Sequence, residues 1–146
     1  MLPETIENFE HLYGPFTRLA VRDKAIFYRY LLQGGYANAP FRFDVRVGSG
    51  IEMPASATPT ELIIATALTT KRIDVLHESE SETVIYEVKH YAGLSAVGQL
   101  LGYKILYAQD NPNTPPIRLV LITDKIQPDM LDFLADHNIE LHEVGY

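Results

Sequence analysis

Cysteine is absent from the 146 residues. That excludes a disulfide framework, a thiolate nucleophile and a zinc–thiolate centre. It fits a reducing compartment, so a cytoplasmic location is the expectation. No apolar run approaches the ~18 residues a membrane span needs. The longest, around Leu62–Leu68 and Leu119–Ile122, are strand-sized. The first fourteen residues have neither the basic start nor the apolar centre of a signal peptide. A glycine-rich phosphate loop, a serine elbow and an HExxH-type zinc motif are all missing, and the five histidines show no metal-ligand spacing.

What is present is the balance of an ordinary folded protein, 47% hydrophobic and 21% charged. The length suits one domain over 1–146, with 1–16 as an N-terminal extension. Net charge is -7, unevenly spread. Residues 1–15 carry -3, residues 105–146 carry -5, and the middle, 16–104, carries +1. The acidity lies at the ends, and the middle can still present a basic face to a polyanion.

Periodicity gives the elements. Residues 3–13 read as a short acidic helix. Residues 17–33 read as a helix capped by Thr17 and ended at Gly34-Gly35. Phe41, Phe43, Val45 and Val47 alternate with polar residues as a strand, broken at Gly48–Gly50. Leu62–Leu68 is a second strand-like run. Arg72–Leu76 and Thr83–Lys89 are strands joined by the polar HESESE turn, and so a hairpin. A helix over 95–107 capped by Ser95, a buried strand over 117–123, a helix from Pro128 to His137 and a strand over 139–144 complete the chain. The order predicts an α/β (α+β) fold, a mixed sheet with helices on both sides.

Three charged residues stand where strands should be apolar. Asp74 lies between Ile73 and Val75, Glu87 between Tyr86 and Val88, and Lys89 follows. Residues two apart in a strand share a face, so Glu87 and Lys89 project together. The hairpin brings Asp74 beside them. Such charges are costly there unless they pair or bind a cation. Two carboxylates and the Val88 carbonyl are hard oxygen ligands suited to Mg²⁺ or Mn²⁺. A metal so held would polarise a phosphoryl oxygen, and the lysine would orient water and balance charge.

Asp74 with Glu87-Val88-Lys89 resembles the motif of the restriction-endonuclease-like superfamily, the PD-(D/E)XK nucleases. Gln99 and Tyr103, four apart on the next helix, are similar to a Gln-x-x-x-Tyr element of some branches. The resemblance covers about 17–123. It implies a restriction-endonuclease-like αβββαβ core, metal-dependent hydrolysis of DNA phosphodiester bonds of endonuclease or junction-resolving type, and metal ligation by Asp74, Glu87 and the Val88 carbonyl. It gives Lys89 and Gln99 catalytic roles. Ile73 replaces the motif's proline. Gly48-Ser49-Gly50 resembles the turn that precedes the first acid in archaeal Holliday-junction resolvases, but more than twenty residues separate it from Asp74, so an insertion or extra strand must intervene. The superfamily's helix-borne acid has two candidates, Asp23 and Glu10.

Lys71, Arg72, Lys104 and Arg22 are the candidates for gripping a nucleic-acid backbone, and Arg18, Arg22 and Arg29 fall on one side of the first helix. Gly98 and Gly102 suggest close packing of the second long helix on the sheet. A double-strand break needs two sites, so a homodimer or a subunit of a larger DNA-processing assembly is expected. Two rival readings stand beside the nuclease. One is a catalytically weak nucleic-acid-binding or assembly protein on the same fold. The other is a structural protein whose three charges form a buried ion network.

Overall fold

The computed structural model describes residues 19–38, 40–48, 52–69 and 71–145. The expected helix over 3–13, the Thr17 cap, Arg18 and Glu10 lie outside them.

In chain order the elements are α1 (Val21–Leu32), β1 (Arg42–Val47), α2 (Pro59–Thr69), β2 (Lys71–Glu78), β3 (Thr83–Ala92), α3 (Leu94–Asp110), β4 (Ile117–Ile126), α4 (Met130–Asp136) and β5 (Ile139–Glu143). The five strands form one sheet in sequence order. β1, β2 and β3 are antiparallel neighbours, and β3–β4 and β4–β5 are parallel. The mixed α+β sheet with helices on both faces is therefore as the sequence predicted.

Two apolar clusters hold the layers together. On one face Ile26, Phe27, Tyr30 and Leu31 of α1 pack on Val75, Tyr86, Val88 and Ile122. On the other, Ala96, Val97, Leu100 and Tyr103 of α3 and Met130 and Leu134 of α4 pack on Ile73, Leu76, Ile85 and Leu121. β4 is buried on both faces, as its unbroken apolar run requires.

β1 does not keep one apolar face. Asp44 sits at φ 55°, a left-handed conformation that Asp tolerates better than most residues. Phe43 therefore packs on the α1 side, and Val45 on the α3 side. The registered pairs Phe43–Val75 and Val45–Ile73 flank Asp44 and Asp74, so the sheet is irregular where the first acid stands.

The run Leu62–Leu68 is a helix, not a strand. Pro59 occupies the first helical position, and the Thr58 hydroxyl oxygen accepts the Glu61 N–H at 3.1 Å. The Thr58 hydroxyl in turn donates to Glu61 Oε1 at 3.1 Å. These start signals outweigh the β-branched content of the run. This helix is the insertion between the glycine turn and Asp74. Leu62, Ile63 and Ile64 in it are exposed, Ile63 to 70%.

Smaller corrections follow the same logic. α1 is capped at Ala20 and α3 at Gly93, neither through a side chain, so Ser95 lies inside the first turn of α3 and is not its cap. A Cβ placed on Gly98 or Gly102 would meet nothing within 4 Å, so these glycines do not mark close packing on the sheet. Two glutamates of the HESESE turn are engaged: Glu82 binds Arg118 at 3.0 Å, and Glu78 pairs with Arg42.

Candidate active site

The β2–β3 ladder registers only from Val75–Tyr86 to Glu78–Thr83. Beyond Tyr86 the two strands part, and β3 continues to Ala92 paired with β4 alone. The backbone groups on the opened side need other partners. The Val88 N–H donates to Asp74 Oδ2 at 3.1 Å, and the His90 N–H donates to Asp23 Oδ1 at 3.1 Å. Two carboxylates, one from β2 and one from α1, thus stand in for the missing strand. In a strand the N–H and C=O of a residue point to the same side, so the Val88 carbonyl faces this cleft too.

Glu87 lies at the base of the cleft and is 1% exposed. Neither of its oxygens has a hydrogen-bond partner, although Lys89 Nζ stands 3.4 Å from Oε1. Burial, then the nearby Asp74 charge, pushes its carboxyl up to about 9. Asp74 is also raised, chiefly by burial, although the Val88 N–H and Lys89 oppose the shift. Burial works to lower the Lys89 ammonium, but Glu87 and Asp74 outweigh it and hold it above its ordinary value. Asp23 is raised by burial against the opposing pull of Lys89. Of the two candidates for the helix-borne acid, Asp23 stands at the site, and Glu10 lies outside the described residues.

The geometry brings Asp74, Glu87, Val88 and Lys89 together. Tyr103 on α3 also faces them, since burial and then the Glu87 and Asp74 charges raise its phenol. Gln99 is half-buried, interacts with Tyr103 and has a buried Oε1 without a partner. Gln99, Tyr103, Gly98, Gly102 and Lys71 line a cavity of about 370 Å³ beside the acids. The glycines keep that cavity open. Arg72 is half-buried at the start of β2, Lys104 is exposed on α3, and Arg22 lies on α1 at a separate cavity. A larger space of about 410 Å³, lined by Glu78, Tyr107 and Asp110, lies at the other end of the hairpin. Those three side chains already hold hydrogen bonds, so the unmet demand is at the acid pair.

Asp74, Glu87 and the Val88 carbonyl are the groups here that could hold a divalent cation. Among the described residues no three His, Cys, Asp or Glu side chains converge into a complete cage. They are two carboxyl groups, one with both oxygens buried and only the Lys89 ammonium nearby as an ion-pair partner, and a carbonyl on the side of β3 from which β2 has parted.

The sequence reading missed one pair. His90 Nδ1 lies 2.7 Å from Asp124 Oδ2, joining β3 to β4 on the α1 side. The apolar run 117–123 signalled the strand, but it stopped one residue short of this aspartate.

A mixed sheet that parts at a buried acid pair, with a lysine beside the pair and an open cavity under the next helix, defines an α+β protein with a polar cleft. Residues 62–145 match the profile of the Endonuclease NucS C-terminal domain family, and the chain belongs to that family. A solved structure described as the structure of an EndoMS-dsDNA2 complex is similar, at 19% identity and a TM-score of 0.47. The likeness covers 85% of this chain, which spans 45% of that one. No curated protein matches the chain. No described helix is long and apolar enough to cross a membrane.

Proposed function

We propose that the chain is an endonuclease of the PD-(D/E)XK type, acting on DNA phosphodiester bonds with Mg²⁺ or Mn²⁺. The observation that carries this reading is Glu87, a carboxyl group 1% exposed beside Lys89, facing Asp74 where the sheet parts. Asp74, Glu87 and the Val88 carbonyl would hold the cation. When bound, it supplies Lewis-acid polarisation of the phosphoryl oxygen and a more acidic water.

The protein's own groups do the rest. Lys89 is 37% exposed, so its ammonium reaches both the acid pair and solvent. There it can orient an attacking water and offset charge building on the phosphate. Asp74 is fixed by the Val88 N–H, and Asp23 fixes the next stretch of β3 through the His90 N–H. Lys89 is therefore held between two anchored points. Gln99 and Tyr103 border the space a nucleotide would enter, with Lys71 at its rim. Membership of an endonuclease domain family supports DNA as the substrate class.

The test is cleavage of plasmid and branched DNA with Mg²⁺, Mn²⁺ or chelator, by the parent chain and by Asp74→Asn. Metal-dependent cutting by the parent alone supports the reading, and cutting in chelator overturns it. The net charge of -7 favours a second reading, a DNA-binding or assembly protein that barely cuts. Metal-dependent stabilisation without cleavage is its signature.

A further inference from the structure

Beyond Tyr86, where β2 has parted, every second residue of β3 shares the face of Glu87: first Lys89, then Tyr91. Glu87 is sealed at the base of the cleft, Lys89 reaches solvent, and Tyr91 is 50% exposed. Tyr91 belongs to neither apolar cluster, so its ring adds little to the core. It stands two residues from Lys89, about 6.6 Å along the strand.

The β3–β4 register sets Tyr91 against Lys125. The Lys125 ammonium lies 5.8 Å from the centre of the Tyr91 ring, within the range at which a ring face attracts a cation. Lys125 is exposed, yet its backbone is held. The hydroxyl of the buried Thr123 accepts the Lys125 N–H at 3.2 Å and donates to the Lys125 carbonyl at 2.8 Å. Asp124, the acid next to it in the chain, is turned to the α1 side of the sheet, where it binds His90 at 2.7 Å. The ammonium and the ring thus stand together in solvent, one step along β3 from the catalytic lysine of the nuclease reading.

An exposed ring beside an ammonium is the chemistry that holds a nucleic-acid strand. The cation takes a phosphate, and the ring packs on the adjoining nucleotide whatever its base. We propose that Lys125 and Tyr91 hold the DNA strand one nucleotide beyond the bond addressed at the acid pair. Lys125 binds the phosphate there. Tyr91 packs on that nucleotide and steadies the Lys125 ammonium. Neither group takes part in the bond-breaking step, so both are positioning residues. The proposal rests on the nuclease reading for its substrate class, but not on catalysis.

The test is DNA binding by fluorescence anisotropy in chelator, where nothing is cut, over a range of salt. A lost phosphate contact lowers the slope of log affinity against log salt by about 1 and weakens binding to all sequences alike. Lys125→Gln should show both effects, whereas Arg42→Ala, at the far end of the hairpin, should show neither. Tyr91→Ala should weaken binding about fivefold or more, the low end of what a stacked ring contributes, and Tyr91→Phe should restore most of that loss. Both side chains are exposed, so the far-ultraviolet circular dichroism should stay unchanged throughout. With Mg²⁺ present, Lys125→Gln should raise KM more than it lowers kcat. An unchanged slope in Lys125→Gln overturns the proposal, as does a Tyr91→Phe variant no better than Tyr91→Ala, or a parent chain that binds no DNA in chelator. A parent that binds with the expected slope yet never cuts with Mg²⁺ or Mn²⁺ overturns the nuclease reading and leaves this site standing.

Discussion

Lys89 Nζ lies 3.4 Å from Glu87 Oε1, yet the two differ sharply in exposure, 37% against 1%. The lysine keeps its charge beside water while the glutamate is denied its own. With the carboxyl pushed up to about 9 from an ordinary 4.5, the folded protein holds a proton that the unfolded chain has released. A native state that binds more protons loses stability as pH rises. In chelator, urea midpoints should therefore fall steadily between about pH 5 and 9, and Glu87→Gln should flatten that decline. Mn²⁺ should restore stability most strongly at the alkaline end, where it no longer competes with the proton.

Removing either acid or the lysine should abolish cleavage without unfolding the sheet. Asp74→Asn, Glu87→Gln and Lys89→Ala are each expected to lower the cleavage rate by about 10²-fold or more, the lower end of what a positioned proton-handling group contributes. Single-turnover assays on a saturating substrate check this. Equal rates in all three variants would remove the site assignment.

Gln99 should matter less. It borders the cavity and interacts with Tyr103, and no contact ties it directly to Lys89. Gln99→Ala should slow cleavage by about tenfold, less than the acid changes, while relieving a buried unpaired oxygen. Thermal stability should consequently hold or rise slightly as the rate drops, a combination that separates a role toward substrate from a role in folding.

α2 should govern assembly. Leu62, Ile63 and Ile64 are all largely exposed, and such surface favours contact with another chain. Sedimentation of the parent should give a dimer, and Ile63→Glu should give a monomer that nicks duplex DNA without breaking both strands in one encounter. A monomeric parent that makes double-strand breaks would sink this prediction.

The acid pair was legible in the sequence because β2 and β3 are local. Asp74, Glu87 and Lys89 break an apolar strand pattern, and the HESESE turn between them forces a hairpin. α2 was misread because a run of seven residues, six of them apolar, fits a buried strand or a helix equally well by periodicity. The deciding information lay just upstream in Thr58, Pro59 and Glu61. The parting of β2 from β3 beyond Tyr86 could not be read at all, since β3 itself runs on to Ala92 as an unbroken strand. The His90–Asp124 pair was hidden for another reason. The partners lie 34 positions apart and meet only through the parallel register that sets Lys89 against Thr123.

That parallel register also dictates the order in which the molecule can be made. The β2–β3 hairpin closes on its own within about 1–10 μs, with Glu87 still in water and ionised. The β3–β4 pairing must wait for the whole α3 crossover to be laid down and docked, a slower, non-local event. Only then is Glu87 sealed from solvent. Refolding near neutral pH should therefore take up a proton in its last step, so that a pH-indicator dye in weak buffer would report the closing of the sheet after the hairpin has already formed.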